Sequence, residues 1–523
     1  MSSLPPIGRV SARRPAPIWL QLPVMLIALV SLLPLLYVLI RMGEAGWQEA
    51  WHLLWRPYIG RLLGNTLLLL VLVVSGCALL GVGLAWLIER TQLYRHRTWN
   101  VLLCLPFAIP SFVAGFTWIS LDQSFEGLGG AVLVMVMSKY PMVYLPVAAA
   151  LRAMDPALEE SARMLGRTRR QVFWQVTLPL LRPTILGASL LVALHMLVEF
   201  GALSIVGYQT FTTAIYQEFE LEFSNTNAAM LSGVLLVLCL LLLRMEVTLR
   251  GKAFFRSGQG SSKPFERLPL GLWQGPLQLA LVALLCIGCG TPLLTLAYWI
   301  VEGSSARFPL LELAQTLWNS LKLAVAAGGL SLLLALPLAL LCVRYQGRLA
   351  RLAERLPYVL HALPGLVIAL SLVFFALRLA PGLYQTTALL LLAYALLFLP
   401  MVQAPLRVAL EKMPPSLEEA ARTLGQTPLK AFLKVTLPII SPVLGAGFVL
   451  VCLDTLKELT ATLILGPTGL TTLATQVWSN TATMQYAAAA PYAALIVLVS
   501  GLPVYLITTY SYRQRGREAQ LPE

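Results

Sequence analysis

The chain has 523 residues, of which 58% are hydrophobic and 12% charged, with a mean hydropathy of +0.76. Soluble domains carry about 25% charged residues, so this composition excludes an ordinary soluble fold and predicts an all-α integral membrane protein. The formal charge of +14 raises nucleic acid as a partner, and the placement of the charges then removes it.

A helix of about 20 apolar residues crosses the ~30 Å hydrocarbon core. Twelve such stretches occur, at 19–40, 62–88, 101–120, 129–151, 180–203, 226–246, 275–300, 318–342, 357–379, 384–408, 439–465 and 487–510. The first follows Arg9, Arg13 and Arg14 as a signal peptide would. It is too long for such a peptide's apolar region and lacks a small-residue cleavage site, so it reads as a retained first helix. With a cytoplasmic N-terminus, the connections on that side and the span ends beside them hold 30 of the 38 lysines and arginines. The other side holds five (Arg41, Arg56, Arg61, Arg307, Arg378), and three lysines lie within spans. This is the positive-inside pattern, and it places both termini in the cytoplasm. The far side is comparatively acidic (Asp122, Glu126, Glu218, Glu220, Glu222), so the basicity needs no nucleic acid. All seven cysteines fall within spans. Cys286 and Cys289, a CxxC inside an apolar helix, read as small packing residues.

The chain repeats itself. LGNTLLLL at Leu63 answers LWNSLKLA at Leu317, and the same offset of 254 aligns Arg90 with Arg344 and Pro110 with Pro364. From Pro141 and Pro400 onward the offset is 259. EESARMLGRTRRQVFWQVTLPLLRP (Glu159 to Pro183) then matches EEAARTLGQTPLKAFLKVTLPIISP (Glu418 to Pro442) at thirteen of 25 positions, without a gap. Further on, Thr212, Thr213 and Gln217 match Thr471, Thr472 and Gln476. Two homologous six-helix domains follow, 1–249 and 272–523, joined by a Gly-, Ser- and Pro-rich cytoplasmic linker at 250–271. An even number of crossings keeps both copies in one orientation, related by an axis along the membrane normal.

Each repeated segment reads as a helix, a break and a second helix entering the membrane. Ser416 and Glu419 have capping-box spacing, and Asp155 before Pro156 caps the first copy. Gly166 and Gly425 supply the left-handed turn at the helix end. Thr168 and Thr427-Pro428 restart the helix, and Val-Thr-Leu-Pro leads into the next span. An amphipathic loop resting on headgroups and a docking element for a two-fold symmetric partner both fit this pattern. No G-x-x-x-x-G-K-[ST] occurs, since Gly251-Lys252 is followed by Ala253. H-E-x-x-H is also absent, and the four histidines are scattered. The chain is therefore expected not to be an enzyme, and to bind no cofactor and no stable metal itself.

Glu160-Ser161-Ala162, Gly166 and Leu178-Pro179, and more closely Glu419-Ala420-Ala421, Gly425 and Leu437-Pro438, resemble the EAA loop of ABC importer permeases. Ser161 in place of alanine is the one departure. The resemblance implies a type I importer permease fold of about 12 transmembrane helices in the bacterial inner membrane. It implies coupling loops at about 152–179 and 411–438, with Glu159, Glu160, Ala162, Gly166, Glu418, Glu419, Ala421 and Gly425 as ATPase-coupling residues. The implied partners are two copies of an ABC ATPase subunit, which uses ATP and Mg, and a periplasmic substrate-binding protein. The fused layout, with EFGALSIVGYQTFTTAIY from Glu199 and KELTATLILGPTGLTTLATQVW from Lys457, most resembles ferric-iron permeases. Thiamine and some phosphonate permeases share that layout. An ion-driven secondary transporter is the reading from another class, but it has no ATPase to engage paired loops.

Ionisable residues inside a membrane are costly and are functional candidates. His195 with Glu199, and Asp454 with Glu458, are each spaced i to i+4, which on a helix is one face. Ferric iron favours oxygen ligands, and three of these four side chains are carboxylates. A lasting site would trap the ion, so transient contacts along a substrate pathway are expected.

Overall fold

The computed structural model describes residues 17–46, 48, 51–52, 55–220, 222, 224–250, 267–303, 309–345, 347–414 and 416–501. Arg9, Arg13, Arg14, Arg307, both chain termini and linker residues 251–266 lie outside that set. Among the described residues there are helices and no strand; the sole ladder contact is an isolated parallel bridge between Thr91 and Leu268. Among the described residues nine helices are long and apolar enough to cross a membrane, including Pro57–Arg90, Leu310–Arg344 and Thr387–Lys412. His96–Ala108 and Ser111–Leu121 form a bent pair that turns by 83° and makes a tenth candidate when the two are taken as one span. Shorter apolar helices, Gly365–Leu379 and Tyr486–Gly501, occupy the remaining expected positions.

Proline causes the breaks at the third span of each half. The residue before a proline is driven from the helical region, and Ile109 before Pro110 has φ −84° and ψ 119°. In the second half, Arg348–Ala362 ends just ahead of Pro364 and Gly365–Leu379 begins just after it. The prolines that align in the repeat therefore interrupt corresponding helices.

The chain folds into two compact units that interleave the sequence halves. Among the described residues the smaller comprises 17–36, 321–361 and 371–455, and the larger comprises 37–320, 362–370 and 456–501. In the larger unit Thr291–Glu302, from the second half, packs on Ser111–Leu121. There Trp299 Nε1 donates to Ser120 Oγ at 3.0 Å. Cys286–Gly290, just before that helix, form a π turn in which Cys289 is buried and Cys286 exposed, both as free thiols.

Close approach of helices explains the small residues. Pro57–Arg90 runs against Pro141–Ala153, and a Cβ on Gly81 would lie 2.7 Å from Val143 Cβ and 2.9 Å from the Tyr144 nitrogen. Helices in lipid gain no hydrophobic advantage from meeting, so such packing holds them together. Buried tyrosines beside this seam are satisfied, Tyr140 donating to the Leu103 carbonyl at 2.7 Å and Tyr144 to Asn100 Oδ1 at 2.6 Å. In the smaller unit Gly328 plays the same part, its missing Cβ leaving room for the Phe448 ring at 2.8 Å.

Gly81→Ala is expected to destabilise the purified chain by about 1–3 kcal/mol through overpacking. Gly83→Ala, where nothing lies within 4 Å of the added atom, is expected to be neutral or slightly stabilising. Thermal unfolding in detergent measures the difference.

Candidate functional site

The two repeated loops adopt the same local structure. In the first, Asp155 Oδ1 accepts the Ala157 N–H at 3.0 Å, Pro156 follows, and the helix Pro156–Met164 begins. Gly166 at φ 82° ends it, with Gly166 N–H bonded to the Arg163 carbonyl and Arg167 N–H to that of Ala162. The second helix, Ser416–Thr423, ends likewise at Gly425, φ 84°, with Gln426 N–H on the Ala421 carbonyl. These are Schellman turns, which satisfy the orphan carbonyls of the last helical turn. The chain restarts at Thr168, which forms a capping box with Gln171, and at Thr427, whose Oγ1 accepts the Lys430 N–H at 3.3 Å. One expectation is corrected: Ser416 is itself helical, within Ser416–Thr423, rather than the cap before the helix.

Both segments then widen into a π turn, Phe173–Thr177 and Phe432–Thr436. Pro179 and Pro438 follow each turn. A proline lacks the N–H of the helical ladder and crowds the carbonyl four residues earlier, so the turn ahead of it opens.

The first glutamate of each loop points inward. Arg90 ends the long helix Pro57–Arg90, and its Nη2 lies 3.2 Å from Glu159 Oε1, which also accepts from Thr177 Oγ1 at 3.0 Å. In the second loop Arg344, the last residue of Leu310–Arg344, meets Glu418 through both Nη atoms at 2.6 and 2.8 Å. The Thr436 hydroxyl donates to the same carboxylate. Each loop helix is thus clasped to the second span of its half and to the start of the span that follows it. Sequence reasoning grouped Glu159 and Glu418 with the coupling residues and missed the clasp. Its signal was present, because the arginine and the threonine recur at the repeat offsets.

The remaining coupling candidates face outward or sit at the turn. Glu160 and Glu419 are exposed, Ala162 and Ala421 half-buried, and Gly166 and Gly425 exposed. Around them stand Met164 at 89% exposure, Leu165 at 83% and Leu424 at 83%. An acidic group ringed by exposed apolar side chains is a surface suited to docking a protein partner.

Beyond the loops the pathway candidates stand differently from expectation. The helices Leu178–Val198 and Leu437–Leu456 stop before Glu199 and Glu458. The two glutamates therefore do not share a helix face with His195 and Asp454. His195 Nδ1 instead bonds the Leu191 carbonyl of its own helix at 2.9 Å. Each glutamate caps the short helix that follows, Glu199 Oε1 accepting the Ala202 N–H at 3.3 Å and Glu458 Oε1 the Ala461 N–H at 3.1 Å. Thr212 and Thr462 hydroxyls bond the backbone carbonyls of these same glutamates, at 2.6 and 2.9 Å. The two breaks meet within the larger unit, where a Cβ on Gly201 would lie 3.0 Å from Leu459 Cδ2. Among the described residues no group of three or more His, Cys, Asp or Glu is arranged to hold a metal ion. His195, Glu199, Asp454 and Glu458 therefore form no ligand set in this arrangement.

Removing one member of a clasp strands a buried charge. Arg90→Ala is expected to destabilise the chain by roughly 3–5 kcal/mol, and Arg344→Ala by less because its pair is more exposed. The double replacement Arg90→Met, Glu159→Met is expected to recover most of the loss, since an apolar pair leaves no unpaired charge. A double-mutant cycle on thermal unfolding of the purified chain reads the coupling.

Comparison with known proteins agrees with this architecture. The family of binding-protein-dependent transport system inner membrane components matches the chain twice, at residues 78–247 and 331–516. An Fe(3+)-transport system permease protein of Haemophilus influenzae is 43% identical over 96% of this chain and 100% of its own length. The ferric transport system permease of Actinobacillus pleuropneumoniae is 23% identical over 86% of this chain and 71% of its own. The sulfate transport permease CysT of Salmonella typhimurium is 29% identical over 46% of this chain and 96% of its own. Two matches to one family model and an end-to-end relative leave one conclusion: this chain belongs to the inner membrane components of binding-protein-dependent transport systems, as a multi-pass ABC importer permease.

Proposed function

We propose that this chain is the whole membrane path of a ferric-iron importer, with the two halves, 1–249 and 272–523, acting as two permease domains in one polypeptide. The carrying observation is the pair of clasped loops, each presenting an exposed glutamate and exposed apolar side chains while its first glutamate anchors it to two spans. A push on such a loop passes through Arg90 or Arg344 into one span and through Thr177 or Thr436 into the next. The loops therefore serve as levers for ATPase subunits that close on ATP.

Two copies of one ATPase subunit fit the arrangement, because the loops share their turns, caps and outward glutamates. ATP and Mg belong to that subunit, and the chain itself holds neither. A periplasmic binding protein delivers the cargo on the face opposite the loops, and both termini lie in the cytoplasm as the charge distribution directs. The cargo is ferric iron on the strength of a full-length relative named for Fe(3+) transport, whereas the sulfate relative matches about half of the chain. The pathway runs past the helix breaks that carry Glu199 and Glu458.

Reconstituted complex with candidate binding proteins, each loaded and empty, tests this reading. ATP hydrolysis stimulated by the iron-loaded protein supports it, and stimulation only by a thiamine- or phosphonate-loaded protein overturns iron. The double variant Glu160→Lys, Glu419→Lys is expected to reach the membrane and lose uptake. Gly425→Pro is expected to do the same, since proline cannot adopt φ 84° or supply the N–H bonded to Arg422. Native mass measurement is expected to give two ATPase copies per permease chain, and a single copy contradicts the lever pair.

A further inference from the structure

The glutamates at the two helix breaks are repeat-mates, yet the protein surrounds them unequally. Glu199 is fully engaged. Its Oε1 accepts from Ser111 Oγ at 2.9 Å and from Ala202 N–H at 3.3 Å, and its Oε2 lies 3.5 Å from Lys139 Nζ. Glu458 makes the equivalent cap through Oε1, but its Oε2 is buried and has no hydrogen-bond partner among the described residues. The adjacent Lys457 places its Nζ over the Phe107 ring, 5.9 Å from the centroid.

The internal repeat accounts for the difference. The offset that aligns Pro110 with Pro364 puts Gly365 where the first half has Ser111. The offset that aligns Pro141 with Pro400 puts Phe398 where it has Lys139. The second half carries the acid without either of the side chains that neutralise it in the first. A buried carboxylate oxygen without a partner is costly. Capping alone does not require it, because a glutamine Oε1 accepts the same N–H.

Resting on the reading of the chain as a cation importer, we infer that Glu458, and not Glu199, is the acid that contacts the passing cargo. Its open oxygen accepts a hard cation or a water of that cation's shell. Glu199 shapes the break of the first half through Lys139 and Ser111 and is a positioning residue. A single oxygen from one side chain is a weak ligand, which suits a path that must release what it binds.

The test is ferric-iron uptake into vesicles holding the full complex of permease, ATPase and loaded binding protein. Glu458→Gln with its oxygen toward Ala461 keeps that cap and replaces the open oxygen, with the carboxylate charge, by a neutral donor group. Uptake is expected to fall roughly tenfold or more while the ATPase still co-purifies and stimulated hydrolysis continues. Glu458→Asp, which retains the charge, is expected to transport better than Glu458→Gln. Glu199→Gln is expected to lower thermal stability, and Glu199→Gln with Lys139→Met to restore uptake to within about twofold by removing the stranded ammonium. Wild-type uptake by Glu458→Gln overturns the inference, as does an equal loss in the folded Glu199→Gln, Lys139→Met variant. Wild-type complex run alongside with thiamine- and phosphonate-loaded binding proteins separates this question from cargo identity. A thiamine importer that depends on Glu458 upholds a cation contact while removing iron, and a phosphonate importer overturns both.

Discussion

A carboxylate held between an arginine at the end of one span and a threonine at the start of another is the contact on which the architecture of the loops depends. Pro156–Met164 and Ser416–Thr423 are far too short to be stable helices alone. Their polar faces give them no hydrophobic reason to hold one angle. Glu159 with Arg90 and Thr177, and Glu418 with Arg344 and Thr436, supply that reason. The ion pair repays its desolvation only with complete geometry, and the bidentate contact of Arg344 with an added hydroxyl meets that condition. The left-handed glycines and the proline-opened π turns then set the path of the chain out of the clasp.

Irregular backbone marks the other part of the molecule that matters. At membrane depth a helix can break only where neighbouring protein or a lined cavity satisfies its backbone groups. The breaks after Val198 and Leu456 meet this need with a glutamate that caps the next short helix and a threonine that bonds the glutamate's carbonyl. Duplication has treated the two regions differently. The clasps are retained in both halves with the same three residue types, while the breaks diverge, one acid being neutralised and the other left open. Symmetry at the loops accords with the proposed pair of identical partners, and asymmetry at the breaks with the proposed ion cargo.

Much of this was legible in the residues themselves. Membrane class and span positions follow from runs of apolar side chains. The duplication follows from constant offsets, and the loop turns from Asp155, Gly166, Thr168, Gly425 and Thr427, because each of these features is local and acts on its own stretch of backbone. Tertiary structure alone decided which glutamate of each pair turns inward, since Arg90 and Glu159 are 69 residues apart and helix packing selects the face. It alone placed Glu199 and Glu458 outside their helices. The apolar run continues past Val198, and no proline or glycine stands in the last two turns before either break, so the sequence pattern predicts unbroken helix and an i to i+4 pair. It alone turned Pro110 from an aligned residue into an 83° bend. Local propensity says where a chain is able to turn, but the partner that satisfies the freed backbone and the buried charge comes from elsewhere in the fold.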